Sequence, residues 1–73
     1  MTYLENLYKR IRELHEKELT LTEQIKNEKD ENRAISLIFT RMRICQKIRV
    51  TQRQIDYEQV NEAFKEYKKR IEG

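Results

Sequence analysis

The first third of the chain places hydrophobic residues at two positions of a seven-residue repeat. This is the a and d pattern of a helix that packs along one stripe. The a positions hold Leu4, Ile11 and Ile25, and the d positions hold Leu7, Leu14 and Leu21. Two acidic residues interrupt the stripe, Glu18 at an a position and Glu28 at a d position. The spacing predicts a helix over residues 3–28, with Thr2 and Glu5 forming a capping box at its start.

A purely polar stretch, residues 26–33, follows this helix. Asn27, Asp30 and Asn32 are residue types that cap helices, so one helix can end here and another can begin. The apolar stripe also changes phase across this stretch, which a continuous helix would not require. We therefore predict a turn over residues 28–32, and the alternative is one continuous helix of about 100 Å.

The second helical segment, residues 33–71, has two differently patterned parts. Apolar residues between positions 34 and 48 surround most of the helix, which is typical of a helix that is buried on several sides. After them a single stripe resumes in a new phase. This stripe consists of Tyr57, Val60, Phe64, Tyr67 and Ile71. Thr51 and Gln54 also match a capping box, so a break near residues 50–56, which would give a three-helix bundle, is the alternative.

The two predicted helices differ in length, and this difference predicts a partner. In a hairpin that turns at residue 30, residue i faces roughly residue 60 − i, so Tyr3 faces Tyr57 and the last 15 or so residues extend beyond the first helix. Large apolar side chains on that extension would be exposed to water unless another molecule packs against them. We expect a single all-α domain over residues 1–73, an antiparallel helical hairpin that assembles into a dimeric helical bundle or coiled coil.

Composition excludes other fold and function classes. With no proline and one glycine in 73 residues, the chain lacks the turn residues that sheets need. The single histidine and single cysteine, His15 and Cys45, match no metal-ligand or catalytic spacing, so we expect no enzyme activity, no metal and no cofactor. No apolar run is long enough to cross a membrane, and no signal pattern opens the chain, so we expect a cytoplasmic protein.

Charge is distributed unevenly. Residues 32–55 contain six basic and no acidic residues, whereas residues 1–31 carry a net charge of −2 and residues 56–73 a net charge of −1, which together give +3. One interpretation is neutralisation by the first helix, with Glu18 near Arg41 and Arg43. The same interpretation pairs Glu28 with Arg33, and Glu13 or Glu16 with Lys47.

The favoured functional hypothesis is a small non-enzymatic protein–protein interaction module, of adaptor, chaperone, inhibitor or regulator type. It would self-associate and bind a partner through the apolar faces of the second helix. The predicted interface residues are Phe39, Met42, Tyr57, Val60, Phe64, Tyr67 and Ile71. The alternative is a nucleic-acid-binding regulator that uses the acid-free segment 33–53. Its contacts would be Arg41, Arg43, Lys47, Arg49 and Arg53.

Overall fold

A computed structural model describes residues 2–73 of the chain and contains two helices. Helix α1 spans Tyr3–Asn27, and helix α2 spans Glu31–Glu72. The helices lie against each other as an elongated hairpin of 64 × 18 × 14 Å. The predicted all-helical hairpin is confirmed, and its helix ends lie within two residues of the predicted ones.

Both helices begin at the predicted capping residues. The Thr2 hydroxyl accepts a hydrogen bond from the Glu5 backbone N–H at 3.2 Å. At the start of α2, the Asp30 carboxylate accepts from the backbone N–H groups of Asn32 and Arg33 at 2.9 and 3.4 Å. These bonds satisfy donors that the first helical turn leaves without a partner.

The link between the helices is three residues long and made from ordinary backbone conformations. Glu28 and Asp30 are both extended, with φ/ψ of −79°/127° and −84°/119°. The Glu28 carboxylate accepts from the Asp30 backbone N–H at 3.2 Å. No residue from 2 to 73 has a positive φ, so the reversal needs no glycine. The chain therefore turns here, and the alternative of one continuous helix is wrong.

Helix α2 has no break between residues 50 and 56, so the three-helix alternative is also wrong. Thr51, the expected cap of a third helix, is buried in the middle of α2, where its hydroxyl donates to the Lys47 carbonyl at 2.8 Å. The capping pattern misleads because a threonine hydroxyl can also bond to the carbonyl four residues earlier within a helix.

The residues of α2 that face α1 form a regular heptad seam, which we call the inner seam. Its positions are Ala34, Leu37, Arg41, Ile44, Ile48, Thr51, Ile55 and Glu58, all of them buried or half-buried. The apolar residues between 34 and 48 therefore divide into this seam and a second set that faces away from α1. The best-buried cluster consists of Leu7, Ile11 and Ile55, with Leu4 and Ile48 packed against it, and it lies at the end of the hairpin far from the link.

Candidate protein interaction surface

A second line of residues runs along α2 on the side away from α1, and we call it the outer stripe. Its positions follow one another at spacings of three or four residues, so they share one face of the helix. At 100° per residue this face lies roughly opposite the inner seam. The outer stripe consists of Ile35, Phe39, Met42, Gln46, Arg49, Arg53, Tyr57, Val60, Phe64, Tyr67 and Ile71.

The apolar members of the outer stripe are exposed. Their exposed fractions range from 45% at Ile35 to 67% at Tyr57 and Val60. All seven residues that the sequence predicts for the interface are in this set. Fully burying one such side chain contributes about 1.5–3 kcal/mol, so eight half-exposed ones represent a gain comparable with the stability of a small domain.

The last turns of α2 extend beyond α1, as the sequence predicts. The outermost polar contact between the helices joins the Gln59 side-chain amide, as donor, to the Tyr8 hydroxyl. Beyond it, the positions that continue the direction of the inner seam are polar, namely Glu62, Lys65 and Lys69. This extension therefore has only one apolar face, and that face belongs to the outer stripe.

Contacts within α2 cover its exposed aromatic rings only in part. The rings of Phe64 and Tyr67 have centroids 6.4 Å apart with an interplanar angle of 27°. The Lys68 ammonium lies 5.2 Å from the centroid of the Phe64 ring. Phe64 and Tyr67 nevertheless remain 55% and 59% exposed, so a large aromatic surface is still available to another molecule.

Two of the charged residues in the seams, one from each helix, meet each other. Arg41 of α2 lies 3.4 Å from the Glu18 carboxylate of α1, and His15 Nδ1 lies 3.7 Å from the same carboxylate. The predicted partnership of Glu18 with Arg41 is confirmed. Arg43 forms no ion pair with Glu18. The contact aligns residue i of α1 with residue 59 − i of α2, and Arg43 lies about 160° around the helix from Arg41. In addition, Arg41 Nε is buried without a hydrogen-bond partner.

None of the other predicted pairings between the basic segment and α1 forms an ion pair. Within residues 2–73, no acidic group lies within 4.0 Å of the charged nitrogens of Arg33, Arg43, Lys47, Arg49 or Arg53. Glu28 contacts the Asp30 backbone instead of Arg33. Among the described residues, direct ion pairing of the basic segment with α1 is therefore limited to Arg41.

The remaining cations in the centre of α2 are spread around the helix. Arg49 and Arg53 belong to the outer stripe, whereas Arg43 and Lys47 lie roughly 80–160° around the helix from them. Arg43 and Lys47 line one groove, together with Arg10. Arg41, Arg43 and Arg49 line a second groove, in which the apolar side chains of Phe39 and Met42 lie among the cations.

The single histidine and the single cysteine differ in exposure: the His15 side chain is more than half exposed, and Cys45 is half-buried. In the part of the chain that the structure describes, no three His, Cys, Asp or Glu side chains converge where they could hold a metal ion. Across the same residues, neither helix has an apolar stretch long enough to cross a membrane.

Sequence reasoning missed one apolar member of the outer stripe and two exposed apolar residues beside it. Ile35 belongs to it, and Ile38 and Val50 flank it with exposed fractions of 45%, 44% and 52%. The signal was present, because the spacing of three and four that links Tyr57 to Ile71 continues backwards through Arg53 to Ile35. The two arginines in the middle of the stripe concealed that continuity.

Comparison of the chain with family models, with curated proteins and with solved structures finds no match.

Proposed function

We propose that this protein is a non-enzymatic interaction module that packs the outer stripe of α2 against a helix of a protein partner. The observation that carries the proposal is the outer stripe itself. It is apolar at both ends, exposed along its length, and turned away from α1. An exposed apolar surface of this extent is typical of a protein interaction site.

The shape of the surface favours a helix as its counterpart. Apolar residues spaced three and four apart along a straight helix form a ridge that fits the groove of another helix. Tyrosine and phenylalanine at four of the eight apolar positions supply the side chains that dominate protein interfaces. Adaptor, chaperone and inhibitor roles all use such a surface.

The alternative, a nucleic-acid-binding regulator, has weaker support. Phosphate contacts require cations that approach one backbone together. Arg41, Arg43 and Arg49 line one groove, but Arg41 is engaged with Glu18, and Phe39 and Met42 line the same groove. The cations are thus mixed with apolar side chains around the helix, which supports phosphate binding less than one continuous basic face would.

The experiment that tests the proposal is site-specific photo-crosslinking of the full chain inside the cell that produces it. Phe64 is replaced by p-benzoylphenylalanine, and the matched control carries the same replacement at Leu19, an exposed apolar residue of α1. We expect a covalent adduct with a protein from position 64 and none from position 19. Absence of an adduct at position 64, or equal adducts at both positions, would contradict the proposal.

A further inference from the structure

The geometry of the outer stripe points to a specific partner: we infer that it pairs with the outer stripe of a second copy of this chain, antiparallel, with Arg53 on the two-fold axis. This inference rests on the proposed function and identifies the partner. In this arrangement residue i of one copy faces residue 106 − i of the other.

The spacing of the outer stripe is symmetric about Arg53. Counting away from Arg53 in either direction, the steps between stripe positions are four, three, four, three and four residues, ending at Ile35 and at Ile71. A two-fold antiparallel pair requires this symmetry, because each surface meets its own reverse. Seam positions then face each other along the whole length of the contact, about 54 Å for 37 residues.

The residues brought together are chemically compatible. The facing pairs are Ile35 with Ile71, Phe39 with Tyr67, Met42 with Phe64, Gln46 with Val60, and Arg49 with Tyr57. Three of the five pairs are wholly apolar. The Arg49 guanidinium meets the Tyr57 ring, which favours a cation–π contact. The two copies of Arg53 meet at the axis, where Asp56 of the opposite copy, one turn away, is within reach of each.

Charge separates the antiparallel arrangement from the parallel one. A parallel pair would place residues 32–55, with a net charge of +6, beside the same segment of the second copy. It would also put Arg49 against Arg49 and Arg53 against Arg53. The antiparallel pair places each +6 segment beside residues 56–73, with a net charge of −1, and leaves only the Arg53 pair facing itself. Like-charge repulsion therefore favours the antiparallel arrangement.

The available area is adequate for a specific dimer. An aromatic side chain buries about 150–250 Å², so the four roughly half-exposed aromatic members present about 300 Å² or more in each chain. The four aliphatic members, Ile35, Met42, Val60 and Ile71, add to this area, and two copies together approach the ~1,000 Å² expected of a biological interface. The apolar face of the α2 extension also becomes buried, because it packs along residues 35–48 of the second copy.

Disulfide formation between mixed variants tests the orientation and the register. In a Cys45→Ser background, Phe39→Cys and Tyr67→Cys chains carrying different mass tags are mixed, unfolded, refolded together and oxidised. We expect the mixed 39–67 disulfide as the main product. Disulfides between two copies of the same variant, 39–39 and 67–67, would show a parallel pair and overturn the inference. A mixture of Phe39→Cys with Val60→Cys is the register control, because these positions are about 10 Å out of alignment, and it should give little product.

The mass of the unaltered protein in solution provides a second test, which introduces no cysteine. By sedimentation equilibrium we expect twice the chain mass of 9.1 kDa. Combining Phe64→Ala with Tyr67→Ala should weaken the dimer about tenfold or more, whereas Leu19→Ala should leave it unchanged. A chain that stays monomeric at every concentration overturns the inference. If position 64 still crosslinks to another protein, the proposed function survives that result, and if it crosslinks to nothing, both fail.

Discussion

At the scale of the residue, the Glu18–Arg41 pair is the ion pair that joins the two helices. The Glu18 and Arg41 side chains are 25% and 43% exposed, so the pair is partly screened by water. We predict that Arg41→Gln lowers the free energy of unfolding by about 0.5–1 kcal/mol, because the half-buried Glu18 carboxylate loses its partner. Urea unfolding followed by circular dichroism at fixed protein concentration measures the change.

The matched control for this prediction is Arg43→Gln. Arg43 lies two residues away on α2 and forms no ion pair with α1, so its replacement should change the stability by no more than about 0.5 kcal/mol. Equal losses from the two variants would mean that the Glu18–Arg41 contact contributes nothing specific.

The sequence predicted this contact but not its exact partner. A glutamate at a seam position indicates a cation opposite, and the basic segment offered Arg41 and Arg43 at nearly the same height. Choosing between them requires the alignment of the helices to within one residue. The polar stretch 26–33 could not supply that precision, since a link of three to five residues satisfies the same pattern.

At the scale of the element, α2 is one helix of 42 residues, and Thr51 lies in its interior. An N-cap threonine stabilises a helix, so replacing it by valine would cost about 1 kcal/mol. In the interior, the Thr51 hydroxyl is buried and bonds only to a carbonyl that the helix already uses. We therefore predict that Thr51→Val raises the free energy of unfolding by about 0.5 kcal/mol.

Thr40→Val is the control for Thr51→Val. Thr40 forms the same bond, to the Ser36 carbonyl at 3.0 Å, but on the exposed surface of α2. Its replacement buries no additional apolar group and should be nearly neutral. A loss of stability from Thr51→Val alone would indicate that a helix begins at Thr51, contrary to the structure.

The starts of both helices were predictable because local chemistry decides them. Thr2 and Asp30 cap their helices through bonds to residues two or three positions away, which a sequence displays directly. The continuity of α2 at Thr51 depends instead on packing against α1, some 40 residues away in the chain. A local capping pattern cannot report that packing, so sequence reasoning left the three-helix alternative open.

At the scale of the whole molecule, burial is concentrated at the open end of the hairpin. Leu7 is 4% exposed in the cluster with Ile11 and Ile55, whereas Leu21, nearer the link, is only half-buried. We predict that Leu7→Ala lowers the free energy of unfolding by about 2–4 kcal/mol, and that Leu21→Ala lowers it by about 1–2 kcal/mol. Both variants replace leucine by alanine, so the difference between their losses in free energy of unfolding measures how closely each leucine is packed.

Urea unfolding at one protein concentration compares the two leucine variants with the unaltered chain. If Leu7→Ala leaves too little folded protein at 25 °C, the measurement at a lower temperature or with a stabilising osmolyte restores the comparison. Equal losses at the two positions would contradict the uneven distribution of burial.

The position of this cluster has a consequence for the time course of folding. Ile25 and Ala34, which flank the link, are nine residues apart in the chain, whereas Leu4 and Ile55 of the cluster are 51 residues apart. Short loops close at lower entropic cost, so we expect the helices to meet first beside the link and the cluster to form late. The cluster would then contribute to the folded hairpin but not to the transition state for folding. We therefore expect Leu7→Ala to accelerate unfolding far more than it slows folding, which stopped-flow measurement of both rates would test.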